Sequence, residues 1–390
     1  MEKQKNIPEL RFPEFEGEWE KKKFEEIFLF STGKNIKQNE ASPEFEIPCV
    51  RYGELYHMYI EVIYEVINKT NLHRSELLFS AGDEILLPSA GEDPLDIGSA
   101  SALTVKNVAI GRTINILKPV KENVYSQIYA SYFINQKLRK AIATLAKGVS
   151  ISNVYNSDLK TLVIILPTLP EQSKIATFLT AVDEKLQTLK KKKSLLEGYK
   201  KGVMQKLFSQ ELRFRSEDGK EFEDWEEKKL GEVCEKKSSN ISANKIEDNF
   251  GEYIIYGASG ILKRVNFFKE ENDYISIIKD GAGVGRIFYC KGKSSVLGTM
   301  EILKPKIELN TYFLYCLLKN IDFTKYITGS TIPHIYFKDY KNEKCGIPSM
   351  EEQTLIANFL TSLDEKINHT QTEITKTEVW KKGLLQKMFV

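Results

Sequence analysis

The chain has 390 residues, 42% of them hydrophobic, which suits a water-soluble protein of two or three domains that each bury a core. Its formal net charge is only +2, so composition alone does not mark it as a nucleic-acid binder, and no apolar run is long enough to span a bilayer. Five scattered cysteines without a CxxC pair argue against a zinc site or a disulfide framework and favour a reducing cytoplasm. The opening residues, MEKQKN, predict no targeting segment.

The first half of the chain predicts a strand-rich region followed by a helix. Apolar runs bounded by turn residues predict strands at residues 61–67, 83–87 and 112–119. Residues 125–144 predict a helix, and a glycine turn, KGVSISNVYNSDL from Lys147, follows it. The second half repeats this order, with strands predicted at 274–279, 286–290 and 299–305, a helix at 311–327, and the turn TGSTIPHIYFKDY from Thr328.

A longer segment, residues 167–208, occurs twice. Shifted by 181 residues, residues 348–389 align with it without a gap, and 18 of the 42 columns are identical. In both copies proline precedes a stretch in which apolar residues alternate at spacings of three and four, the pattern of a coiled-coil helix. We therefore predict two long helices of roughly 55 Å each that bury their apolar stripes against each other.

The duplication extends beyond these helices. The tripeptide LRF occurs at Leu10 and again at Leu212, and WEKKKFEEI from Trp19 returns as WEEKKLGEV from Trp225. Between these shared ends, the two strand-rich middles have the same order but little common sequence. The sequence thus predicts an α+β fold in which two strand-rich α/β domains, related by internal repeat, carry different recognition surfaces and are joined by long helices.

No stretch carries a recognisable catalytic or cofactor motif. Residues 281–285, GAGVG, lack the last glycine of a dinucleotide loop, and residues 292–294, GKS, end a phosphate-loop pattern that lacks its first glycine. Both are interpreted as turns between strands. Asp93-Pro94 is not part of a DPPY or NPPF methyltransferase tetrapeptide, and the four histidines lack ligand spacing, so we predict no catalytic residue and no metal site.

Binding residues are better represented. The turns after the predicted helices bring small polar, amide and aromatic side chains together, which can contact base edges, while nearby cationic side chains can hold phosphates. An ordinary capped turn is the alternative, since Ser, Thr and Asn also cap helices. The DNA-binding candidates are Lys147, Ser150, Ser152, Asn153, Tyr155, Lys279, Arg286, Thr331, His334 and Tyr336.

The long helices carry apolar and charged features. The Asp-Glu-Lys triplets at residues 183–185 and 364–366 are interpreted as solvated faces, with partner docking as the alternative. The lysine run at residues 190–193 either faces DNA phosphate or flanks the coiled coil in solvent. The candidates for helix pairing and partner docking are Ile175, Phe178, Leu179, Val182, Leu186, Ile356, Phe359, Leu360, Leu363 and Ile367.

Two variable regions, each followed by a helix that begins P-x-x-x-E-Q-x-x-I-A-x-F-L-x-x-x-D-E-K, resemble the specificity (S) subunits of type I restriction–modification systems. The opening PELRFPEFEGEWE is similar to the start of many such subunits, and the resemblance covers essentially the whole chain. It implies two target-recognition domains that each read one half of a split site in double-stranded DNA. It also implies that the helices pair antiparallel and space these domains, and that the N-terminal segment lies near the C-terminal helix.

The same resemblance implies the partners. Two modification (methyltransferase) subunits would dock on the helices, and two restriction subunits with translocase and endonuclease activity would join through them. S-adenosylmethionine, ATP and Mg²⁺ would then be bound by those partners, and this chain would be non-catalytic, carry no cofactor, contact no membrane and act in the cytoplasm.

On this interpretation, residues 1–166 and 209–347 are the recognition domains, and residues 167–208 and 348–390 are the spacer helices. Two other interpretations stay open: a standalone two-headed DNA-binding regulator, and a specificity module of another modification enzyme. The base sequence of neither half-site follows from the chain, because base readout depends on loop geometry.

Overall fold

A computed structural model gives the structure of residues 6–306 and 308–390. Residues 1–5 and Ile307 lie outside the described residues. Residues 1–5 belong to the opening segment, which was predicted to lack a targeting signal, and to the predicted domain 1–166. Ile307 belongs to the predicted domain 209–347. The chain divides into two compact units. Unit 1 comprises Met1–Leu189 with Glu373–Val390, and unit 2 comprises Lys190–Thr372.

Short strands in unit 1 form one main sheet and several smaller ones. They are β1 (Glu20–Lys23), β2 (Phe28–Thr32), β3 (Ile47–Val50), β4 (Val62–Ile63), β5 (Lys69–Thr70), β6 (Glu84–Pro88), β7 (Ala90–Gly91), β8 (Ser101–Leu103), β9 (Ala109–Ile110), β10 (Ile114–Pro119), β11 (Ser152–Asn153) and β12 (Val163–Leu166). The main sheet has the order β2-β10-β6-β8-β4 and is antiparallel except for the β4–β8 pair. The smaller sheets are β5-β3-β9, β1-β12 and β7-β11.

The strand predicted at residues 61–67 is shorter than expected. Only Val62 and Ile63 pair with a neighbouring strand, β8. Tyr64 and Ile67 are 53% and 52% exposed. Because these two side chains lack an apolar surface to cover, the β-branched composition of the segment does not extend the strand.

The helices of unit 1 surround this strand-rich core. They are α1 (Phe24–Ile27), α2 (Glu54–His57), α3 (Pro94–Ile97), α4 (Gln127–Phe133), α5 (Arg139–Leu145) and α6 (Asn156–Leu159), with 3₁₀ turns at Gln38–Glu40 and Arg74–Glu76. A π-helical segment, Ile134–Leu138, joins α4 to α5, so the predicted helix at 125–144 is helical but irregular. Within it, the Asn135 amide exchanges two 2.8 Å hydrogen bonds with the backbone of Ala100, which anchors the irregular turn.

Unit 2 repeats this architecture. Its strands are β13 (Glu226–Lys229), β14 (Cys234–Ser238), β15 (Tyr253–Gly257), β16 (Gly260–Val265), β17 (Tyr274–Ile278), β18 (Ile287–Cys290), β19 (Ser294–Val296), β20 (Met300–Pro305) and β21 (Lys344–Ile347). The main sheet, β14-β20-β17-β18, has the connectivity of β2-β10-β6-β8, and β13-β21 corresponds to β1-β12. The sheet β16-β15-β19 corresponds to β5-β3-β9, since in each the first strand lies in the middle, antiparallel to the second and parallel to the third. The two middles thus share a strand framework although their sequences differ, and strand β4 of the unit 1 main sheet has no counterpart in the unit 2 main sheet.

The helices of unit 2 differ from the prediction at one end. They are α8 (Leu230–Val233), α9 (Thr311–Lys319) and α10 (Phe337–Tyr340), with 3₁₀ turns at Ala243–Ile246 and Thr324–Tyr326. The helix predicted at 311–327 stops at Lys319. The Asp322 carboxylate accepts a 3.0 Å hydrogen bond from the Thr324 N–H and starts a separate turn, a local bond that competes with helix continuation.

Both glycine-containing segments are turns between strands, as predicted. Residues 281–285 connect β17 to β18, and residues 292–294 connect β18 to β19. Gly281, Gly283 and Gly285 have φ of +85°, +87° and +82°, a backbone region that side chains with a Cβ rarely adopt. Backbone geometry therefore accounts for the GAGVG sequence.

Two long helices, α7 (Leu169–Phe208) and α11 (Met350–Met388), contribute to both units. In unit 1 the ring of Phe178, near the start of α7, packs edge-on against Trp380, near the end of α11, with ring centroids 6.0 Å apart. In unit 2 the Lys200 ammonium, late in α7, lies 2.5 Å from the carboxylate of Asp364, early in α11. Early residues of one helix thus meet late residues of the other, and the helices are antiparallel.

The apolar stripes of these helices do not pack only against each other, which corrects the prediction. Ile175, Leu179 and Val182 join a core formed with side chains of the strand-rich part of unit 1, together with the end of α11. Ile356 and Leu360 join the corresponding core of unit 2. The helices are therefore structural parts of both domains, since their apolar side chains complete the cores of the strand-rich layers.

All five cysteines are buried free thiols. Burial raises the pKa of Cys49 and Cys234 to about 12, so both thiols stay protonated at neutral pH. Within residues 6–306 and 308–390, no helix is long and apolar enough to cross a membrane.

Candidate nucleic-acid interface

The turn after α5 in unit 1 forms a short hairpin. Lys147 and Asn153 exchange both backbone hydrogen bonds, with N···O distances of 2.9 and 2.8 Å. Gly148 has φ of +135°, and a Cβ at this position would lie 2.1 Å from the carbonyl oxygen of Ile151. The turn therefore requires glycine. At its tip, Val149 is fully exposed and Ile151 is 58% exposed.

Unit 2 contains the same hairpin. Thr328 and His334 exchange backbone hydrogen bonds of 2.9 and 2.8 Å. Gly329 has φ of +89°, and a Cβ there would lie 2.5 Å from the carbonyl oxygen of Ile332, which is 64% exposed. Each unit thus presents one glycine-dependent hairpin with an apolar tip. We call these the unit 1 hairpin (residues 147–153) and the unit 2 hairpin (residues 328–334).

Each hairpin is attached to the loop that follows a central strand of the main sheet. In unit 1, β11 pairs with β7, which directly follows β6, and the Val154 N–H donates to the Ser89 carbonyl at 2.9 Å. In unit 2, the Gly281 N–H donates to the Pro333 carbonyl and the Ile335 N–H to the Lys279 carbonyl, both at 2.9 Å. The sheet therefore fixes the position of each hairpin relative to a second loop, residues 89–93 or 279–283.

These second loops carry carboxylates that sequence reasoning missed. Glu92 is exposed and Asp280 is partly exposed. Within the described ranges, neither side chain has a hydrogen-bonding or ionic partner. A carboxylate can accept a hydrogen bond from an amino group such as the exocyclic one of cytosine, and both carboxylates are available for such a contact beside the hairpins. Their position directly after a central strand was the available sequence signal.

Some of the predicted site residues of unit 1 are exposed, and the others are buried or already bonded to groups within the unit. Ser150 and Tyr155 are exposed. The Lys147 ammonium is also exposed but lies 2.9 Å from the Asp158 carboxylate, and this hydrogen bond lowers the pKa of Asp158. The Asn153 amide donates at 3.3 Å to the Ile151 carbonyl within its own turn, and Ser152 is only 8% exposed. This placement favours Ser150 and Tyr155 as contacts for a ligand.

In unit 2 the predicted residues lie around the hairpin and the glycine turn below it. Arg286 and Thr331 are exposed, and Lys279 is partly exposed at the end of β17. The His334 ring nitrogen Nδ1 lies 3.2 Å from the Ile332 carbonyl, and the ring packs 5.0 Å from that of Tyr336. The structure thus brings a histidine, a tyrosine and two cationic side chains to one edge of unit 2.

Most of the predicted helix residues are inaccessible to a partner. The buried ones are Ile175, Leu179, Val182, Leu186, Ile356, Leu360 and Leu363, while Phe178, Phe359 and Ile367 are partly buried. Other apolar side chains on the helices are exposed: Leu195 at 64%, Tyr199 at 54%, Val379 at 68% and Trp380 at 47%. These four side chains are accessible to another chain, although the Trp380 ring also packs against Phe178.

The interpretation of the Asp-Glu-Lys triplets as solvated faces is wrong for their aspartates. Asp183 is 6% exposed, accepts a 2.5 Å hydrogen bond from the Tyr132 hydroxyl and pairs with Lys381 at 2.6 Å. The second triplet repeats this arrangement, since Asp364 accepts a hydrogen bond from the Tyr312 hydroxyl and pairs with a lysine of α7. Each aspartate lies beside an apolar stripe residue of its helix, which turns it inward, while the Glu and Lys of each triplet are exposed.

Ionisation follows from these contacts. Burial disfavours the charged ammonium of Lys381, but the carboxylates of Glu61 and Asp183 outweigh this effect and raise its pKa. Burial and then the charge of Asp183 raise the pKa of Tyr132, so its hydroxyl remains a donor. Lys381 also lies 3.3 Å from Glu61, which comes from the strand-rich part of unit 1.

The shared motifs at the repeat ends are also structural partners. The Arg11 guanidinium donates two 2.7 Å hydrogen bonds to Glu171, which is 1% exposed and also accepts from the Trp19 indole at 3.3 Å. In unit 2, Arg213 and Trp225 contact the buried Glu352 in the same way. The LRF and W-E motifs thus hold the first turn of each long helix.

The N-terminal segment lies on the end of α11. The Leu10 N–H donates to the Lys387 carbonyl at 2.9 Å. At the equivalent place in unit 2, the N–H of Leu212, which follows the end of α7, donates to the Lys206 carbonyl in the last turn of α7 at 3.1 Å. Leu10, near the start of the chain, thus contacts the end of α11 in the same way as Leu212, in the middle of the chain, contacts the end of α7.

Comparisons with known proteins agree with this architecture. The sequence model of the family described as "Type I restriction modification DNA specificity domain" matches twice, at residues 16–197 and 222–378. A Methanocaldococcus jannaschii protein, provisionally described as the MjaX type I restriction enzyme specificity subunit, is 26% identical over 98% of this chain and 95% of its own length.

Two solved structures share the fold. The crystal structure of the type I restriction–modification system S subunit from M. genitalium has a TM-score of 0.71 at 21% identity, covering 98% of this chain and 99% of that one. A chain from a structure concerned with complex assembly and conformational transition of the type I R-M system has a TM-score of 0.52 at 16% identity, covering 95% of this chain and 96% of that one. With its two matched repeats, the chain belongs to the family of type I restriction–modification specificity subunits.

Proposed function

We propose that this chain is the non-catalytic subunit that gives a type I restriction–modification complex its DNA target, and that each unit reads one half of a bipartite site. The observation that carries this proposal is the duplicated hairpin, one in each unit, attached in both cases to a loop with an unpartnered carboxylate. The other side chains of the two hairpins and their neighbouring loops differ between the units, as expected for two domains that recognise different half-sites.

The readout surface proposed for each unit is the hairpin with its neighbouring loop. In unit 1 it contains Ser150, Tyr155 and Glu92, and in unit 2 it contains Thr331 and Asp280. Hydroxyl groups, phenols and carboxylates hydrogen-bond to base edges in the major groove. Lys147, Lys279 and Arg286 would contact phosphates and set the register on the duplex. Residues 1–166 and 209–347 are then the two recognition domains.

The helices, residues 167–208 and 348–390, would space the readers and dock two modification subunits. The accessible side chains on their outer faces support this role, because exposed aromatic groups such as Tyr199 and Trp380 are enriched at protein–protein interfaces. Restriction subunits would join through the modification subunits. S-adenosylmethionine, ATP and Mg²⁺ would be held by these partners, in the cytoplasm.

Methyl transfer by the separated components tests this division of labour. The purified chain alone should transfer no labelled methyl group to DNA. Methyl transfer should begin only after the modification subunits encoded beside it are added. Size-exclusion chromatography with light scattering should give two modification chains per copy. DNA methylation by this chain alone would refute the non-catalytic role, and a monomer that binds DNA without such partners would favour a standalone regulator.

A domain exchange tests the two-reader arrangement. Replacing residues 24–166 by the corresponding block of a related subunit should change one half of the methylated sequence, while the other half and the gap stay the same. Replacing residues 231–347 should change the opposite half. Methylome sequencing of strains that carry each exchange reads this out, and a change in both halves from one exchange would contradict independent readers.

A further inference from the structure

Each unit contains a polar junction where three separate chain segments meet, largely buried in unit 1 and partly buried in unit 2. In unit 1, the Tyr132 hydroxyl of α4 donates to the Asp183 carboxylate of α7, and the Lys381 ammonium of α11 lies 2.6 Å from the same carboxylate. We call Tyr132, Asp183 and Lys381 the unit 1 junction. It joins the recognition part of the unit to both long helices at one point.

The unit 2 junction has the same composition. It consists of Tyr312 of α9, Asp364 of α11 and Lys200 of α7, and the two ionic groups are 2.5 Å apart. In both junctions the ammonium also lies over the tyrosine ring, 5.7 Å from the centroid in unit 1 and 5.9 Å in unit 2. The two long helices exchange roles between the units. Helix α7 supplies the aspartate in unit 1 and the lysine in unit 2, whereas α11 supplies the lysine in unit 1 and the aspartate in unit 2.

The physical chemistry of such a junction favours orientation over stability. Removing two charges from water costs about as much free energy as their attraction returns, so a buried ion pair adds little to net stability. An arrangement that separates the partners leaves an unpaired charge in a poorly hydrated site and is disfavoured, strongly in unit 1 and less so in unit 2, where the Asp364 side chain is 33% exposed. A tyrosine hydroxyl shared with that pair extends the restraint to a third element.

We propose that the two junctions are positioning devices that fix the angle between each recognition domain and the helix pair, and so restrict the gap lengths that the complex accepts. The gap-length consequence rests on the proposed function, whereas the restraint itself is a property of the chain. The other polar contacts named above, such as those of Arg213 and Trp225 with Glu352, hold only the first turn of each long helix. Without the junction, the domain therefore rocks about that first turn, since the apolar contacts further along the helices are not directional.

The unit 2 junction offers the cleaner test, because Lys381 of unit 1 contacts both Asp183 and Glu61, whereas Lys200 pairs with one carboxylate, Asp364, among residues 6–306 and 308–390. The variant Lys200→Met/Tyr312→Phe/Asp364→Leu replaces the junction with apolar groups of similar size. Tyr312→Phe removes only the hydroxyl and serves as the milder variant. Lys201→Met is the matched control, since Lys201 is the neighbouring exposed lysine and its side chain has no partner among residues 6–306 and 308–390.

The restraint is measured in the full-length chain with spin labels at Asn244→Cys and Lys366→Cys, one on the recognition domain and one on α11. Both positions are exposed, whereas the native thiols are buried. We expect a narrow distance distribution in the parent and the Lys201→Met control, and a broader one in the triple variant at unchanged thermal stability. Tyr312→Phe should give an intermediate width, and it decides the question if the triple variant does not fold. Equal widths in parent and variant would overturn the proposal.

The functional consequence is measured in the complex with its modification subunits, on DNA targets whose gap is one base pair shorter or longer than the cognate one. An altered gap obliges a rigid complex to deform the DNA, so a loosened junction should raise methylation of these targets relative to the cognate one by roughly tenfold. The bases of both half-sites should stay the same. Unchanged gap selectivity in a variant with a broadened distance distribution would overturn the link to target choice. A parent complex that methylates no bipartite target would refute the proposed function and leave the spin-label result intact.

Discussion

Shortening both long helices by one heptad tests whether they determine the distance between the two readers. The change removes residues 190–196 from α7 and residues 371–377 from α11. A whole heptad keeps the apolar stripe on the same face, so the helices should still pair. Both ion pairs of the junctions are also kept in register, because Lys200 and Lys381 each move by seven positions while Asp183 and Asp364 stay in place.

The expected shift follows from helix geometry. Seven residues at 1.5 Å each shorten the helix pair by roughly 10 Å. At about 3.4 Å per base pair, this corresponds to a gap roughly three base pairs shorter. Three base pairs also rotate one half-site about the duplex axis by roughly a quarter turn or more. The shortened complex should therefore prefer a shorter gap, or lose activity where the rotation is too large to accommodate.

A panel of duplexes with the parental half-sites and gaps from four base pairs shorter to two base pairs longer would measure this preference by methyl transfer. Circular dichroism and co-elution with the modification subunits would show that the variant is folded and assembled. Removal of two residues from each helix is the control, because at roughly 100° per residue it turns the stripe about half a turn away from its partner surface and should abolish assembly. A folded heptad variant that methylates the parental target with undiminished efficiency would show that the helices do not determine the gap.

Three further changes test individual contacts. Glu92→Gln should alter one base of the half-site read by unit 1, at a cost of roughly 1–3 kcal/mol for the cognate base, and an unchanged methylome would contradict base contact by this side chain. Arg11→Ala leaves the buried carboxylate of Glu171 without its cation and should lower the free energy of unfolding by about 3 kcal/mol in urea titrations, and a loss near zero would show that the pair is not needed. Burial alone would raise the pKa of Glu270, but two lysine contacts outweigh it and lower the pKa below its ordinary value of 4.5. Its contribution to stability is therefore present above pH 4.5 and lost as the pH falls through the lowered pKa. Glu270→Gln should flatten the loss of stability below pH 4.5, and an unaltered acid limb would contradict this assignment.

Local periodicity determined the long helices from sequence. The alternation of apolar residues at three and four, repeated at an offset of 181, requires no knowledge of distant contacts, and the helices occupy Leu169–Phe208 and Met350–Met388. The strands predicted at residues 83–87, 112–119, 274–279, 286–290 and 299–305 were also recognised from local apolar runs, and each range contains most of a strand of the structure. Strand propensity failed at residues 64–67, because pairing depends on a neighbouring strand that the local sequence does not specify.

The partners of the charged residues were decided only by the tertiary structure. Lys200 occupies an apolar column of the first helix repeat, so the sequence already marked it as an exception. Its partner, Asp364, is 164 residues away and was interpreted as solvated, since a helical pattern shows which face a residue occupies but not what covers that face. The same limit applies to the hairpins: glycine at positions 148 and 329 predicted two turns, whereas hydrogen bonds across the sheet placed each turn beside a loop that carries an unpartnered carboxylate.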